Sequence, residues 1–260
     1  MNSIRDWIPR QHGAWAMLIV PFVTGAVLRA RSADQAAWLA PMGGAILTGY
    51  FGFDILTRWL HARPDRRSRY RRQLIGYASA TVLLLALVLA LGGWRLLGWL
   101  VPGIPFGALA VRLSARRRDR SLASGFATVA MAVGFGLAVR FPSPVELIRA
   151  WPTAGRDAIV FGALFGYFFG TVLHVKALIR ERGQPAARRR TLFGHLILTG
   201  LAVVAALAGL AANWWIGFFV LATARTWWLT RPALVGRLRP SRIGMVEIVL
   251  SLLALIIAIC

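Results

Sequence analysis

The sequence is short of cysteine, of acid and of lysine. It holds one cysteine, Cys260, which excludes a disulfide scaffold and any paired-thiol metal or redox centre. Nor does a terminal cysteine fit a prenylation box, in which the cysteine stands fourth from the end. Nine acidic residues face 31 basic ones, so a hard-cation site, which takes several carboxylate oxygens, has little to draw on. There is a single lysine, Lys176, so all the other basic residues are arginines. Charge of either sign is scarce: 15% of residues, against about a quarter in soluble domains.

What is present is apolar. Of 260 residues, 58% are hydrophobic, and the mean hydropathy is +0.63. That excludes a disordered chain, which needs low hydrophobicity. A helix needs about 20 apolar residues to cross a bilayer. Nine such runs occur, at 14–30, 37–57, 74–92, 95–114, 121–139, 157–178, 192–211, 213–229 and 243–260. The reading is an all-α polytopic membrane bundle of nine transmembrane helices, forming one domain over residues 1–260. The first run follows a basic segment, as a signal peptide does, but Pro21 breaks it and Arg31 stands where a cleavage site needs a small residue. It is read as an uncleaved span.

Charge gives the direction. With the N-terminus inside, 25 basic residues fall on the inner side and six on the outer. The asymmetry predicts an N-in, C-out topology. It also disposes of nucleic acid as the partner behind the net charge of +22, because the arginines sit where they set topology and face anionic lipid.

Ionisable side chains inside spans are functional candidates by default. Span 2 carries Tyr50, Asp54, Arg58 and His61 within about 80° of one another at 100° per residue, one stripe running to the inner boundary. An internal Asp54–Arg58 pair is the structural alternative. Span 6 carries Gly162, Gly166 and Gly170, a small-residue packing face, and then His174, Lys176 and Arg180. Lys176 and Arg180 are helical neighbours and repel unless an anion or a carboxylate lies between them. Snorkelling at the helix end is the alternative. His12, His174 and His195 are read as interhelical glue, proton carriers or, least favoured, metal ligands, since no close ligand spacing exists. Arg225 and Glu247 each lie about one turn inside a span and are natural partners. The cytoplasmic ends of spans 2 and 6 are expected to face each other. Together these residues suggest a cation-lined cavity open to the cytoplasm, holding an anionic head group while apolar walls hold a tail.

Five segments carry a family resemblance: Gln11 to Phe22, Arg69-Tyr70, Arg118 to Leu122, Gly170 to Gly183 and Ile243 to Val249. Together they resemble the YwiC-like family of bacterial membrane proteins, which implies a multi-pass protein of a bacterial inner membrane. They add Gln11, Trp15, Arg69, Tyr70, Arg120 and Arg182 to the candidate binding residues. The topology also resembles the UbiA prenyltransferase superfamily. That likeness implies a prenyl diphosphate held through magnesium by aspartate-rich motifs near spans 2 and 6. Here span 2 offers Asp54 alone and span 6 only Glu181, so magnesium is disfavoured and direct binding of a diphosphate by cations is the expectation. The leading functional reading is therefore a UbiA-like protein binding an isoprenoid or other membrane lipid with an anionic head, with atypical prenyl transfer as its enzymatic form. Two others stand beside it: a secondary transporter for a small anion, and a non-catalytic partner of a respiratory or envelope complex.

Overall fold

The computed structural model describes Trp7 and residues 12–32, 37–235 and 239–260. The described residues are helical, without strands. The helices are α1 (His12–Ala30), α2 (Leu39–His61), α3 (Ser68–Gly92), α4 (Leu100–Ala115), α5 (Leu122–Arg140), α6 (Pro144–Ile179), α7 (Pro185–Leu207), α8 (Trp214–Leu229), the single turn α9 (Pro232–Val235) and α10 (Pro240–Ile259). A 3₁₀ segment, Trp94–Trp99, leads into α4.

Each of the nine apolar runs of the sequence overlaps one helix of 16 residues or more. Among the described residues, seven helices are long and apolar enough to cross a membrane: α2, α3, α5, α6, α7, α10 and the combined Trp94–Ala115. Among the described residues Trp15–Ala30 of α1 is a shorter apolar stretch, and α8 has 16 residues, or about 24 Å at 1.5 Å per residue against a core of about 30 Å. Large apolar side chains stand on the outside: Leu83 is 70% exposed and Leu207 84%. A surface that apolar suits lipid and not water. The protein is a multi-pass membrane protein.

Helix ends differ from the apolar runs where charge enters. α3 starts at Ser68 and takes Arg69, Arg71 and Arg72 into its first turns, and α7 starts at Pro185 and takes in Arg188, Arg189 and Arg190. Arginine is a good helix former, so the helix continues past the point where hydropathy stops. α6 begins thirteen residues before the run at 157, but Ala154 breaks it with φ −123° and ψ 18°. Pro152, two residues earlier, has no N–H and crowds the preceding turn.

The chain forms two compact units. The first comprises residues up to His12 and Gly25–Glu146. Its α2 and α3 form a hairpin, with the Thr81 hydroxyl donating to Thr48 at 2.9 Å and the Tyr77 hydroxyl donating to the Trp7 carbonyl at 2.8 Å. α4 is tied to α2 by Ser114, which donates to Thr57 at 3.0 Å. The C-terminal part of α1 touches α5 at backbone distance: a Cβ on Gly25 would lie 2.4 Å from the Gly136 carbonyl oxygen.

The second unit comprises Gly13–Thr24 and Leu147–Cys260. Here Gly166 and Gly170 of α6 admit Leu198 and His195 of α7: a Cβ on Gly166 would meet Leu198 at 2.6 Å, and one on Gly170 would meet the His195 Nε2 at 3.2 Å. The small-residue face thus packs α6 on α7. Gly162, its third member, has open space where a Cβ would go. α7 and α8 are laced by hydroxyls, Thr199 lying 3.0 Å from Thr223 and both bonding to main-chain carbonyls. α10 reaches α6 through the Tyr167 hydroxyl, which donates to the Glu247 carbonyl at 3.3 Å and lies 3.1 Å from the Ser251 hydroxyl.

Candidate functional site

The second unit gathers a polar cluster in its interior. Four helices each send in one ionisable side chain: His174 from α6, His195 from α7, Arg225 from α8 and Glu247 from α10. All four are buried, His174 completely. Arg225 donates through Nη1 to Glu247 Oε1, and the Thr171 hydroxyl donates to Oε2 at 3.0 Å. The pair that the positions of Arg225 and Glu247 suggested is therefore made. His174 Nε2 lies 3.9 Å from the same Oε1, and its ring centre lies 6.2 Å from that of His195.

The environment explains why these groups stay inside. Tyr167, Phe218, Phe219 and Trp215 form a buried aromatic layer with edge contacts between 5.0 and 5.6 Å where rings meet end-on. Through its hydroxyl, Tyr167 joins that layer to α10 beside Glu247. At the rim, Arg231 stacks over Trp227 at 3.7 Å and Trp228 at 4.4 Å, an exposed arginine–tryptophan cluster of the kind that sits at a headgroup boundary. Arg225 lies about one turn deeper.

Several polar atoms in the cluster have no hydrogen-bond partner. Among the described residues, Arg225 Nε and Nη2, both nitrogens of His174 and the Nε2 of His195 are buried without hydrogen-bond partners. Such groups cost free energy in a low-dielectric interior, the more so in a bilayer. His195 is held by its other nitrogen, Nδ1, 2.8 Å from the Thr191 carbonyl. A carbonyl only accepts, so Nδ1 carries the proton and Nε2 is the bare lone pair of the neutral ring.

The remaining sequence candidates separate. Lys176 lies 3.3 Å from Glu181, which also binds Arg190 of α7. The counter-ion that Lys176 needs is thus present in its own unit. Arg180 and Arg182 are exposed at the end of α6, Arg182 donating to the Leu178 carbonyl at 3.2 Å. Trp15, half-buried, lies on the part of α1 that belongs to the second unit. In the first unit, Asp54 and Arg58 pair at 2.5 Å, with Tyr50 one turn before them. His61 there meets the Ser114 carbonyl at 2.9 Å. Arg69 is exposed and Tyr70 half-buried in the first turn of α3, and exposed Arg120 lies 3.9 Å from Asp119. Gln11 lies outside the described residues, as does the side chain of His12.

Asp54 and Glu181 are each already paired with cations, and the described residues bring no three His, Cys, Asp or Glu close enough to hold a metal ion. They do not fit a magnesium–diphosphate site. The sequence reading missed Tyr167, Thr171 and Ser251. Their signal was spacing: Tyr167, Thr171 and His174 follow one another by four and three residues, and Glu247 and Ser251 by four, so each set lies on one helix face.

The family model described as YwiC-like protein matches residues 8–140, just over half of the chain. The chain belongs to the YwiC-like family. Its relatives include a Bacillus subtilis protein described as uncharacterized protein YwiC, 27% identical over 93% of this chain and 92% of that one. Another, from Haemophilus influenzae and described as an uncharacterized protein, is 24% identical over 76% of this chain and 77% of its own. No solved structure matches this YwiC-like chain.

Proposed function

We propose that this YwiC-like protein binds a membrane lipid or isoprenoid by its anionic head group, from the cytoplasmic side of a bacterial inner membrane, in an N-in, C-out arrangement of nine spans. The observation that carries the reading is Arg225. Its guanidinium is buried, one nitrogen is taken by Glu247, and Nε and Nη2 have no hydrogen-bond partner among the described residues. Those two N–H groups form the planar fork that matches two oxygens of a phosphate or carboxylate. The aromatic layer beside Glu247 supplies apolar surface of the kind a tail needs. Lys176, Arg180 and Arg182, at the end of α6, are the cations the head group would meet first. Binding of this kind is compatible with a UbiA-like bundle working as an atypical prenyltransferase, with no step through magnesium.

The test compares lipids in a thermal-shift assay on the full-length protein in detergent. A phosphate-headed lipid should raise the melting temperature more than a zwitterionic lipid with the same chains. In Arg225→Lys, which keeps the charge beside Glu247 but loses the fork, the difference should disappear. Equal shifts by both lipids in the wild type would contradict the proposal.

A further inference from the structure

We infer that Glu247 and His174 form a proton-binding site in the interior of the second unit. His174 is completely buried on α6, and both its ring nitrogens lack hydrogen-bond partners among the described residues. A neutral imidazole carries one donor and one acceptor, so both are unmet. Its Nε2 lies 3.9 Å from Glu247 Oε1. That is about 1 Å beyond a hydrogen bond, a gap that a small change in side-chain angle closes.

Each of the other groups facing the pair already holds at least one partner. Tyr167 of α6 bonds to the Glu247 carbonyl and Ser251, and Thr171 bonds to Glu247 Oε2. His195 of α7 keeps its Nδ1 proton on the Thr191 carbonyl. Arg225 of α8 donates to the same Oε1. Oε1 therefore has both a permanent cation and an unpartnered imidazole near it, and it is the oxygen that can change partners.

The step is a proton transfer without redox change. A proton from the aqueous phase forms an O–H bond at Oε1, and that O–H donates to the lone pair on His174 Nε2. Arg225 keeps its charge and loses its carboxylate, so the cluster passes from formally neutral to singly positive. Glu247 Oε1 then exchanges its ion pair with α8 for a further bond to α6, beside those that Tyr167 and Thr171 already make. The positive charge left on Arg225 is what an anionic head group neutralises, so proton and anion should strengthen each other's binding. This coupling rests on the function proposed above; the proton site does not.

The experiment is a pH series of infrared difference spectra on the full-length protein in lipid bilayers, with no added ligand. A carboxylic-acid carbonyl band should appear on acidification, be lost in Glu247→Gln, and need a more acidic medium in His174→Leu, which cannot accept the hydrogen bond. Absence of any carboxyl band that Glu247→Gln removes would overturn the inference. Should that variant fail to insert, ¹⁵N-histidine spectra of the wild type decide, since the chain has only four histidines. A ring nitrogen that moves with the midpoint of the carboxyl band supports the site, and ring nitrogens of all four histidines that ignore it overturn it. Neither readout involves lipid retention, so the proton site and the anion site can fail separately.

Discussion

Replacing Glu247 with leucine should be among the most damaging single changes in the second unit. The Arg225 side chain is 6% exposed and that of Glu247 8%. Without Glu247, the Arg225 Nη1 loses its acceptor and joins Nε and Nη2, so all three nitrogens of a permanent cation are buried without a partner. Breaking a buried pair from one side costs about 3–5 kcal/mol. Arg225→Leu should cost a similar amount, because Glu247 would keep only the Thr171 hydroxyl. The double variant Arg225→Leu/Glu247→Leu removes both charges and should lie within about 1 kcal/mol of the wild type or above it, as apolar replacements of buried pairs do. The coupling energy from the cycle should then be several kcal/mol, well beyond the ~0.5 kcal/mol seen between independent sites. Unfolding by sodium dodecyl sulfate in mixed micelles gives all four stabilities. Single variants as stable as the wild type would refute the burial of the pair. The double variant also separates fastening from function: its regained stability should come without regained discrimination for phosphate-headed lipid.

Three further outcomes follow from the same geometry. Gly25→Ala would push a methyl to 2.4 Å from a backbone oxygen on α5 that cannot step aside, and should cost about 1–3 kcal/mol in thermal unfolding, whereas Gly134→Ala on α5 has open space and should be neutral or gain up to ~1 kcal/mol. Lys176→Ala should change stability by less than about 1 kcal/mol, since Glu181 keeps Arg190, yet it should weaken retention of an anionic lipid, with Lys176→Arg only partly restoring it; unchanged retention in Lys176→Ala would remove that residue from the site. Reporter fusions in the loops between α2 and α3 and between α6 and α7 should read cytoplasmic and a C-terminal fusion periplasmic, whereas a cytoplasmic C-terminus would mean one crossing fewer, with 16-residue α8 the first suspect.

How much of this could be read in advance depended on the kind of signal. Hydropathy located every long helix, because a run of apolar residues is a local property. It misjudged the starts of α3 and α7, where arginines are helical without being apolar, and it did not foresee the break at Ala154 in α6. Helical spacing found the Asp54–Arg58 pair, because four residues apart is a fixed distance on a helix. The Arg225–Glu247 pair was legible for another reason: two opposite charges inside spans have few ways of being satisfied. The convergence of His174 and His195 on that pair was not legible. It depends on which faces of α6 and α7 meet, which Gly166 and Gly170 settle by letting Leu198 and His195 approach. Lys176 and Arg180 called for an anion or a carboxylate, and the spacing left open which. Glu181, five residues on and across the helix end, escaped the three-and-four rule because the chain is already turning there.

The most direct test of the central claim is native mass spectrometry of the full-length protein released gently from its membrane. The account expects a phosphate-headed lipid or isoprenoid that survives delipidation on the wild type and is missing from folded Arg225→Lys. Wild type and variant carrying the same zwitterionic lipids in the same amounts, with no phosphate-headed species on either, would contradict it.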